Sequence, residues 1–385
     1  MKILIISPDH PYPPNHGGRV DIWNRIILLS ELNHEVDLVI TTPKITLSHE
    51  EEIEFRTHVA DITFIERRKR FLPFLFGIPY QVSSRTELKK FNNSKKYDYI
   101  ILESEATSPI LDSPIAKGSQ ILLRVHNNES KYYNSLFNST NNIIKKAYYL
   151  YESITYKKYS TQIKKRVDAI LHISSDELSN EPKTNTGKSF FLPPYINTSN
   201  LKEIETANKD KVVFIGNLFT ANNVNGLQWY LDNVHPRIIA LNSKYSLIIA
   251  GNTRGGEIPV NIINQTNITF IDSPKSLDNI YKHASVFIIP LLDGAGVKLR
   301  AINAISEGIP IVSTSTGIEG LGLKNNEHYL LGNSDKEFAS AINKLLNSPE
   351  KGRELAGNAQ RHMIENLDSK KILSRILQKI DKINI

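Results

Sequence analysis

The stretch SVFIIPLLDGAGVKLRAINAISEGIPIVST, residues 285–314, decides the fold class. Two short apolar runs, 285–290 and 310–314, flank a glycine-rich loop and a segment with helical spacing of its apolar residues. Runs that are apolar on both faces are typical of strands buried between helix layers, as in a parallel sheet. The stretch therefore predicts a strand–loop–helix–strand unit of an α/β protein.

The same alternation continues in both directions through the 385 residues. Residues 190–211 are rich in Pro, Asn, Thr and Lys, which is typical of a linker between two series of strands. We therefore predict an N-terminal Rossmann-like domain over 1–195, a C-terminal one over 206–365, and a helix over 366–385 that can pack back on the first. The predicted strands are 2–7, 35–41, 62–66, 97–104, 120–125 and 169–174, then 211–217, 245–251, 267–272, 285–290, 310–314 and 328–332.

Composition excludes several classes of protein. The chain has no cysteine, which excludes disulfide frameworks, Cys-zinc sites, iron–sulfur clusters and thiol nucleophiles. No apolar run approaches the ~18–20 residues that a membrane-spanning helix needs, and the N-terminus does not resemble a signal peptide. No P-loop, GxGxxG, HExxH or GxSxG motif occurs. We expect a soluble, cytoplasmic protein.

The loop after strand 285–290 carries the clearest chemical signal. Gly294, Ala295 and Gly296 precede a predicted helix, and Lys298 and Arg300 fall in its first turn. Cations are unfavourable at a helix N-terminus unless an anion offsets them, and helix-start amides bind anions well. A diphosphate would suit this loop, although solvated surface charge is the ordinary fate of Lys and Arg.

Three other strand ends carry polar or flexible residues. Gly17 and Gly18 follow the first strand, where they could admit a ligand close to the backbone or simply form a tight turn. His126 follows strand 120–125 and could contact a sugar or phosphate, or cap the next helix. Asn217 follows strand 211–217, where turn chemistry is the alternative. In open α/β sheets ligands bind at the carboxyl ends of strands.

Taken together, the Gly-Gly loop, His-Asn-x-Glu at 126–129 and the motif at 294–321 resemble GT-B glycosyltransferases, most closely the retaining family 4 and its bacterial surface-polysaccharide branch. The resemblance implies two Rossmann-like domains facing across a cleft. It also implies transfer from a nucleoside-diphosphate sugar to a glycan or lipid-linked acceptor, in lipopolysaccharide, capsule or exopolysaccharide synthesis. Neither a cofactor nor a metal is expected.

The resemblance also suggests roles for individual residues. It implies that His126, Lys298 and Arg300 are catalytic. The predicted donor-binding residues are Gly17, Gly18, Asn217, Gly294, Ala295, Gly296, Asn303, Thr314 and Glu319. Asn303 is a departure, because the family usually has a glutamate there, and the loop 216–224 carries asparagines instead of an Arg and a Lys. Two alternatives therefore stay open: an inactive sugar-nucleotide- or glycan-binding subunit, and a GT-B nucleotide-sugar epimerase.

The net charge of +7 is concentrated in one window. Residues 131–166 carry eight Lys or Arg and one acid, together with seven tyrosines, and 66–80 forms a second basic and aromatic patch. Such patches suit an anionic membrane surface, so we expect peripheral association with the inner face of the cytoplasmic membrane. A solvated helix is the alternative. No nucleic-acid recognition motif is present.

Overall fold

The computed structural model describes residues 1–14, 17–43, 47–68, 76–204, 210–256, 267–294 and 296–383. Their backbone divides into two compact units. The first comprises residues 1–195 and the C-terminal segment from Ser369, and the second comprises residues 196–368. Each unit contains one all-parallel sheet whose strands alternate with helices along the chain. The predicted α/β class with two Rossmann-like units is confirmed.

The first unit contains a seven-stranded sheet in the order β3-β2-β1-β4-β5-β6-β7. All six strands predicted for this part of the chain are present. The seventh, Ser189–Phe191, was missed, because this edge strand of three residues starts just before the segment that composition marked as a linker. The strands are β1 Lys2–Ser7, β2 Glu35–Thr42, β3 Asp61–Glu66, β4 Tyr99–Leu102, β5 Gln120–Val125, β6 Ala169–His172 and β7 Ser189–Phe191.

The second unit contains a six-stranded sheet in the order β10-β9-β8-β11-β12-β13. All six strands predicted here are present, with ends that differ by one or two residues. The strands are β8 Lys211–Ile215, β9 Ser246–Gly251, β10 Ile268–Asp272, β11 Val286–Ile289, β12 Ile311–Ser313 and β13 Leu330–Leu331.

Helices connect the strands in both units, as parallel pairing requires. In the first unit they are α1 Gly17–Glu31, α2 His49–His58, α3 Tyr80–Ser83, α4 Glu129–Ser139, α5 Ile143–Arg166, α6 Ser175–Ser179 and the C-terminal helix given below. In the second they are α7 Ala221–Trp229, α8 His235–Leu241, α9 Asp278–Lys282, α10 Leu299–Ser306, α11 Asp335–Asn347 and α12 Pro349–Asn366.

The last helix, α13 Ser369–Ile383, belongs to the first unit although it follows the second along the chain. Its apolar side chains Leu373, Ile376, Leu377 and Ile380 are buried in the core beneath the first sheet. The hydroxyl of Tyr99 on β4 donates a hydrogen bond to Asp381 at the other end of this helix. Buried apolar area of this kind stabilises the attachment by about 25 cal/mol per Å².

Both sheets reverse their strand order at one point, and these points locate the candidate sites. In the first sheet β1 lies between β2 and β4, and in the second β8 lies between β9 and β11. The connections leaving the two strands at such a point run to opposite sides, which opens a crevice at their carboxyl ends. The loops that follow β1, β4, β8 and β11 are therefore the ones to compare with the sequence predictions.

Candidate active site

Arg300 occupies the crevice at the carboxyl ends of β8 and β11. Its Nη2 donates to Oδ1 of Asn223 at 2.6 Å, and its guanidinium carbon lies 5.6 Å from the ring centre of Phe214. Its Nη1 is buried and has no hydrogen-bond partner. A Cβ added to Gly216 would lie only 2.8 Å from Nη1, so a glycine there makes room for the guanidinium.

The charge of Arg300 is not balanced within the described residues. No carboxylate of the described ranges forms an ion pair with it, and burial lowers the pKa of its guanidinium to about 10. A buried cation without a counter-charge is costly. A ligand anion that reached Nη1 would remove this cost.

Lys298 and the glycine loop lie beside Arg300 at the start of α10. Lys298 is the N-cap residue, so the predicted helix 298–307 is one residue shorter at each end. Its Nζ donates to the carbonyl oxygens of Gly296 and, at 3.4 Å, Gly294. Burial lowers the pKa of Lys298, and the nearby carboxylate of Glu319 works against this shift. Gly294 and Gly296 have φ values of +118° and +82°, which other residues rarely adopt.

The other predicted donor-binding residues of this unit differ in their surroundings. Asn217 is exposed, and its carbonyl oxygen accepts from Nδ2 of Asn223. Asn303 is exposed on α10 and hydrogen-bonds to Tyr281. The Thr314 hydroxyl donates to the carbonyl of Leu291 at 2.5 Å and accepts from the Gly317 amide at 3.1 Å, so it holds the loop together. Ala295 lies outside the described residues.

An exposed aromatic ring stands at the ends of the next strands. Phe219, in the loop after β8, is 38% exposed, and the guanidinium carbon of Arg254 lies 3.7 Å from its ring centre. The Thr253 amide and hydroxyl both donate to the carboxylate of Asp272 at the end of β10. The sequence placed a nucleotide base in this region, at 251–254 and 271–273, and a flat ring with polar neighbours is chemically suited to one.

In the first unit, His126 lies between two buried carboxylates at the ends of β4 and β5. Its Nδ1 is 3.3 Å from Oδ2 of Asp21, and its Nε2 is 3.1 Å from Oε2 of Glu103. Arg25 bonds to both carboxylates, with its Nε 2.6 Å from Oε1 of Glu103. Arg124 on β5 donates to Asp21 at 3.0 Å. We call these five residues the His126 network.

Electrostatics favours the ionised form of both acids in the His126 network. Burial works to raise the pKa of Asp21, but the guanidinium groups of Arg124 and Arg25 outweigh it and lower that pKa. The pKa of Glu103 is also lowered, because Arg25 and His126 outweigh the effect of burial. Burial lowers the pKa of Arg124 to about 10, with Asp21 opposing the shift.

This geometry limits what His126 can do. Each ring nitrogen faces a carboxylate oxygen, so a sugar could hydrogen-bond to a ring nitrogen only by displacing one of these contacts. Asp21, Glu103 and His126 could also hold a metal ion by their mutual distances. However, the two guanidinium groups already balance the two carboxylates, which disfavours a divalent cation there. The catalytic role of His126 therefore stays a prediction.

Gly17 and Gly18 are exposed and form the first two positions of α1. A Cβ added to Gly18 would meet no atom within 4 Å, so the folded chain has room for a larger residue there. A ligand that approaches the first turn of α1 would give a reason for a glycine. Its contact with a diphosphate remains a prediction.

Four members of the His126 network were not singled out from the sequence. Arg124 stands in the otherwise apolar strand QILLRV, and Glu103 follows the apolar strand YIIL. Asp21 and Arg25 are four residues apart in α1, which is one helical turn. A charged residue inside or directly after a buried strand needs a buried partner, and this signal could have found them.

Comparison with known proteins places this architecture. The profile described as "Glycosyl transferases group 1" matches residues 209–348. A 44.6 kDa uncharacterized protein from the cps region of Klebsiella pneumoniae is 37% identical, covering 98% of this chain and 99% of that protein. Two solved structures share the fold: sucrose-phosphate synthase from Thermosynechococcus elongatus (TM-score 0.70, 16% identity, 100% and 99% covered) and Anabaena HepE in complex with UDP (0.68, 12%, 99% and 100%).

The paired Rossmann-like units are those of the GT-B class of glycosyltransferases. Within that class the chain belongs to the family of group 1 glycosyltransferases, and it is an enzyme of glycosyl transfer. The family resemblance inferred from the sequence is confirmed. Family membership favours transfer over the binding-subunit and epimerase alternatives.

Proposed function

We propose that the enzyme moves a sugar from a nucleoside-diphosphate sugar to a glycan or lipid-linked acceptor, with retention of configuration, in the synthesis of a bacterial surface polysaccharide such as lipopolysaccharide, capsule or exopolysaccharide. The observation that carries this proposal is the buried, unpaired Nη1 of Arg300 beside a glycine loop and a helix start. HepE, which shares the fold, is known in complex with UDP. The relative in the cps region of Klebsiella supports the polysaccharide role.

In this mechanism the diphosphate binds to Arg300, Lys298 and the amides at the start of α10. As the bond to the sugar breaks, negative charge grows on the leaving diphosphate, and these preorganised donors stabilise it. Cations and amides then supply what a metal ion would otherwise supply, so the reaction needs no metal. The base lies against Phe219 and Arg254. Asn303 would hydrogen-bond a ribose hydroxyl, more weakly than a carboxylate.

A thermal-shift screen of nucleotide sugars tests the donor assignment. A ligand at a hundred times its dissociation constant stabilises the native state by about 2.7 kcal/mol, which corresponds to a rise in Tm of roughly 5–10 °C. We expect one nucleoside-diphosphate series to give such a rise, with the free nucleoside giving much less. The donor found in this way is then assayed for transfer to glycan and lipid-linked acceptors. Equal shifts for diphosphate and nucleoside would contradict the proposal.

We further propose that helix α5 binds the anionic inner face of the cytoplasmic membrane. Its spacing predicted an apolar stripe, and the structure leaves that stripe exposed: Ile143 and Ile144 are 83% and 81% exposed, Leu150 42% and Ile154 51%. The helix instead buries its opposite side, including Glu152 and Tyr156. Exposed isoleucines beside lysines suit a membrane interface better than water.

The charges around this stripe support an anionic partner. Six lysines of α4 and α5 form no ion pair with any described residue: Lys131, Lys145, Lys146, Lys157, Lys158 and Lys165. The second basic patch adjoins α5, because the amide of Tyr80 donates to Glu152 at 3.0 Å. Phe76 in that patch is 80% exposed, whereas residues 69–75 lie outside the described ranges. None of the described helices is long and apolar enough to cross a membrane.

Vesicle flotation tests the membrane proposal. We expect the protein to float with vesicles that contain phosphatidylglycerol and much less with pure phosphatidylcholine. Replacing both Ile143 and Ile144 with serine should weaken binding at least roughly tenfold, since each buried isoleucine contributes about 1.5–3 kcal/mol. Ile53→Ser is the matched control, because Ile53 is 56% exposed on α2. Equal binding to both lipids, or no loss in the double variant, would contradict it.

A further inference from the structure

A cavity of about 670 Å³ opens in the first unit at the carboxyl ends of β5 and β6. This volume falls within the range of ligand pockets in proteins. Its walls come from the loop at 125–131, one side of α5, helix α6 and the segment 180–185. The position is where open parallel sheets bind ligands. The ring of His126 lies in its own network, so the cavity is a separate feature.

Three polar side chains on the cavity wall lack hydrogen-bond partners. His172 is only 1% exposed, and neither ring nitrogen has a hydrogen-bond partner; its Nε2 lies 3.4 Å from a Glu181 oxygen. Oδ1 of Asn127 is buried and unpaired. Glu129 makes no hydrogen bond to another described residue. Buried polar groups normally have partners, so these three indicate a polar occupant.

The charges on the wall oppose an ionic occupant. Burial lowers the pKa of His172 to about 4, which leaves the ring neutral. Burial and nearby carboxylates, chiefly Glu105, raise the pKa of Glu129 to about 7. Lys164 and Glu181 pair at 2.7 Å. Four carboxylates face four lysines: Glu105, Glu129, Glu177 and Glu181 against Lys131, Lys157, Lys164 and Lys165.

With this balance neither a phosphate nor an amine gains a net attraction. A ligand rich in neutral hydroxyl groups would satisfy donors and acceptors together, because each hydroxyl can donate and accept. An amide, a carboxyl and a neutral imidazole can all do the same. We propose that this cavity holds an uncharged sugar residue of the acceptor, with Asn127, Glu129 and His172 as its hydrogen-bonding partners. The acceptor assignment rests on the proposed function.

Saturation-transfer NMR on the full chain tests the proposal with defined probes. The neutral probes are the methyl glycosides of glucose, galactose, mannose and N-acetylglucosamine, and the charged ones are glucuronate and glucosamine. We expect at least one neutral glycoside to bind better than either charged sugar. Asn127→Ala and Glu129→Gln should each weaken it by roughly ten- to hundredfold, the usual effect of leaving a polar group unpaired.

Matched controls separate a local effect from a general one. Asn141 and Glu50 are exposed, and no described residue hydrogen-bonds to their side chains, so Asn141→Ala and Glu50→Gln should leave glycoside binding unchanged. The proposal is overturned if no neutral glycoside binds, if a charged sugar binds better, or if neither cavity variant weakens binding. UDP-induced stabilisation of the same samples tests the donor function separately, so the two proposals can fail independently.

Discussion

Arg300→Met is expected to lower turnover by roughly 10²–10³, the usual effect of removing one preorganised donor to a developing negative charge. The same change should abolish most of the Tm rise caused by the nucleotide. The Tm of the unliganded protein, by contrast, should stay the same or rise. The reason is that the folded protein buries Nη1 without an anion, and methionine removes that unpaired charge while keeping similar bulk.

These opposite signs make the Arg300 prediction hard to satisfy by accident. A variant that merely damaged the fold would lose both Tm and turnover. Arg361→Met is the matched control, because Arg361 is exposed and has a hydrogen bond only to Asn358 at 3.3 Å. Lys298→Ala should lower turnover by a similar order. Near-normal turnover in both the Arg300 and Lys298 variants would rule out the phosphate assignment.

Asp21→Asn is expected to destabilise the first unit by roughly 3–5 kcal/mol at neutral pH, as removal of one partner of a buried ion pair usually does. Asn keeps the shape of Asp21 but leaves the buried Arg124 and Arg25 with one carboxylate between them. An exposed pair is the control. Asp61 is 54% exposed and contacts Lys95 at 3.1 Å, so Asp61→Asn should cost no more than about 1 kcal/mol.

The cost of Asp21→Asn should also depend on pH. Folding lowers the pKa of Asp21, so its ionised form stabilises the fold above the ordinary carboxyl pKa of about 3.9. That stabilisation is lost as the pH falls through the lower pKa of the folded state. The difference in unfolding free energy between wild type and variant should therefore shrink in acid. A difference that stayed constant down to acidic pH would contradict the network.

The two tryptophans allow this measurement on one unit at a time. Trp23 is buried in the first unit and Trp229 lies in the second, and the chain has no others. In a Trp229→Phe background, fluorescence during denaturation reports on the first unit alone. This separation is needed because proteins with more than one domain often unfold in several steps.

Much of the fold was predictable because buried parallel strands must be apolar on both faces. All twelve predicted strands are present, whereas β7 was missed because only three residues of an edge strand carry the signal. The apolar stripe of α5 was predicted, but its exposure was not. The spacing of apolar residues shows that a helix has two faces, and only packing shows which face is buried; here α5 buries Glu152 and Tyr156.

For the candidate site, the sequence by itself determined the glycine loop, Lys298 and Arg300, because a glycine turn into a helix is a local pattern. Only the tertiary structure showed that Arg300 bonds to Asn223, 77 residues away, and that Asp21 bonds to Arg124, 103 residues away. The reason is physical: these partners meet where each sheet reverses its strand order, and no local pattern records which strands become neighbours.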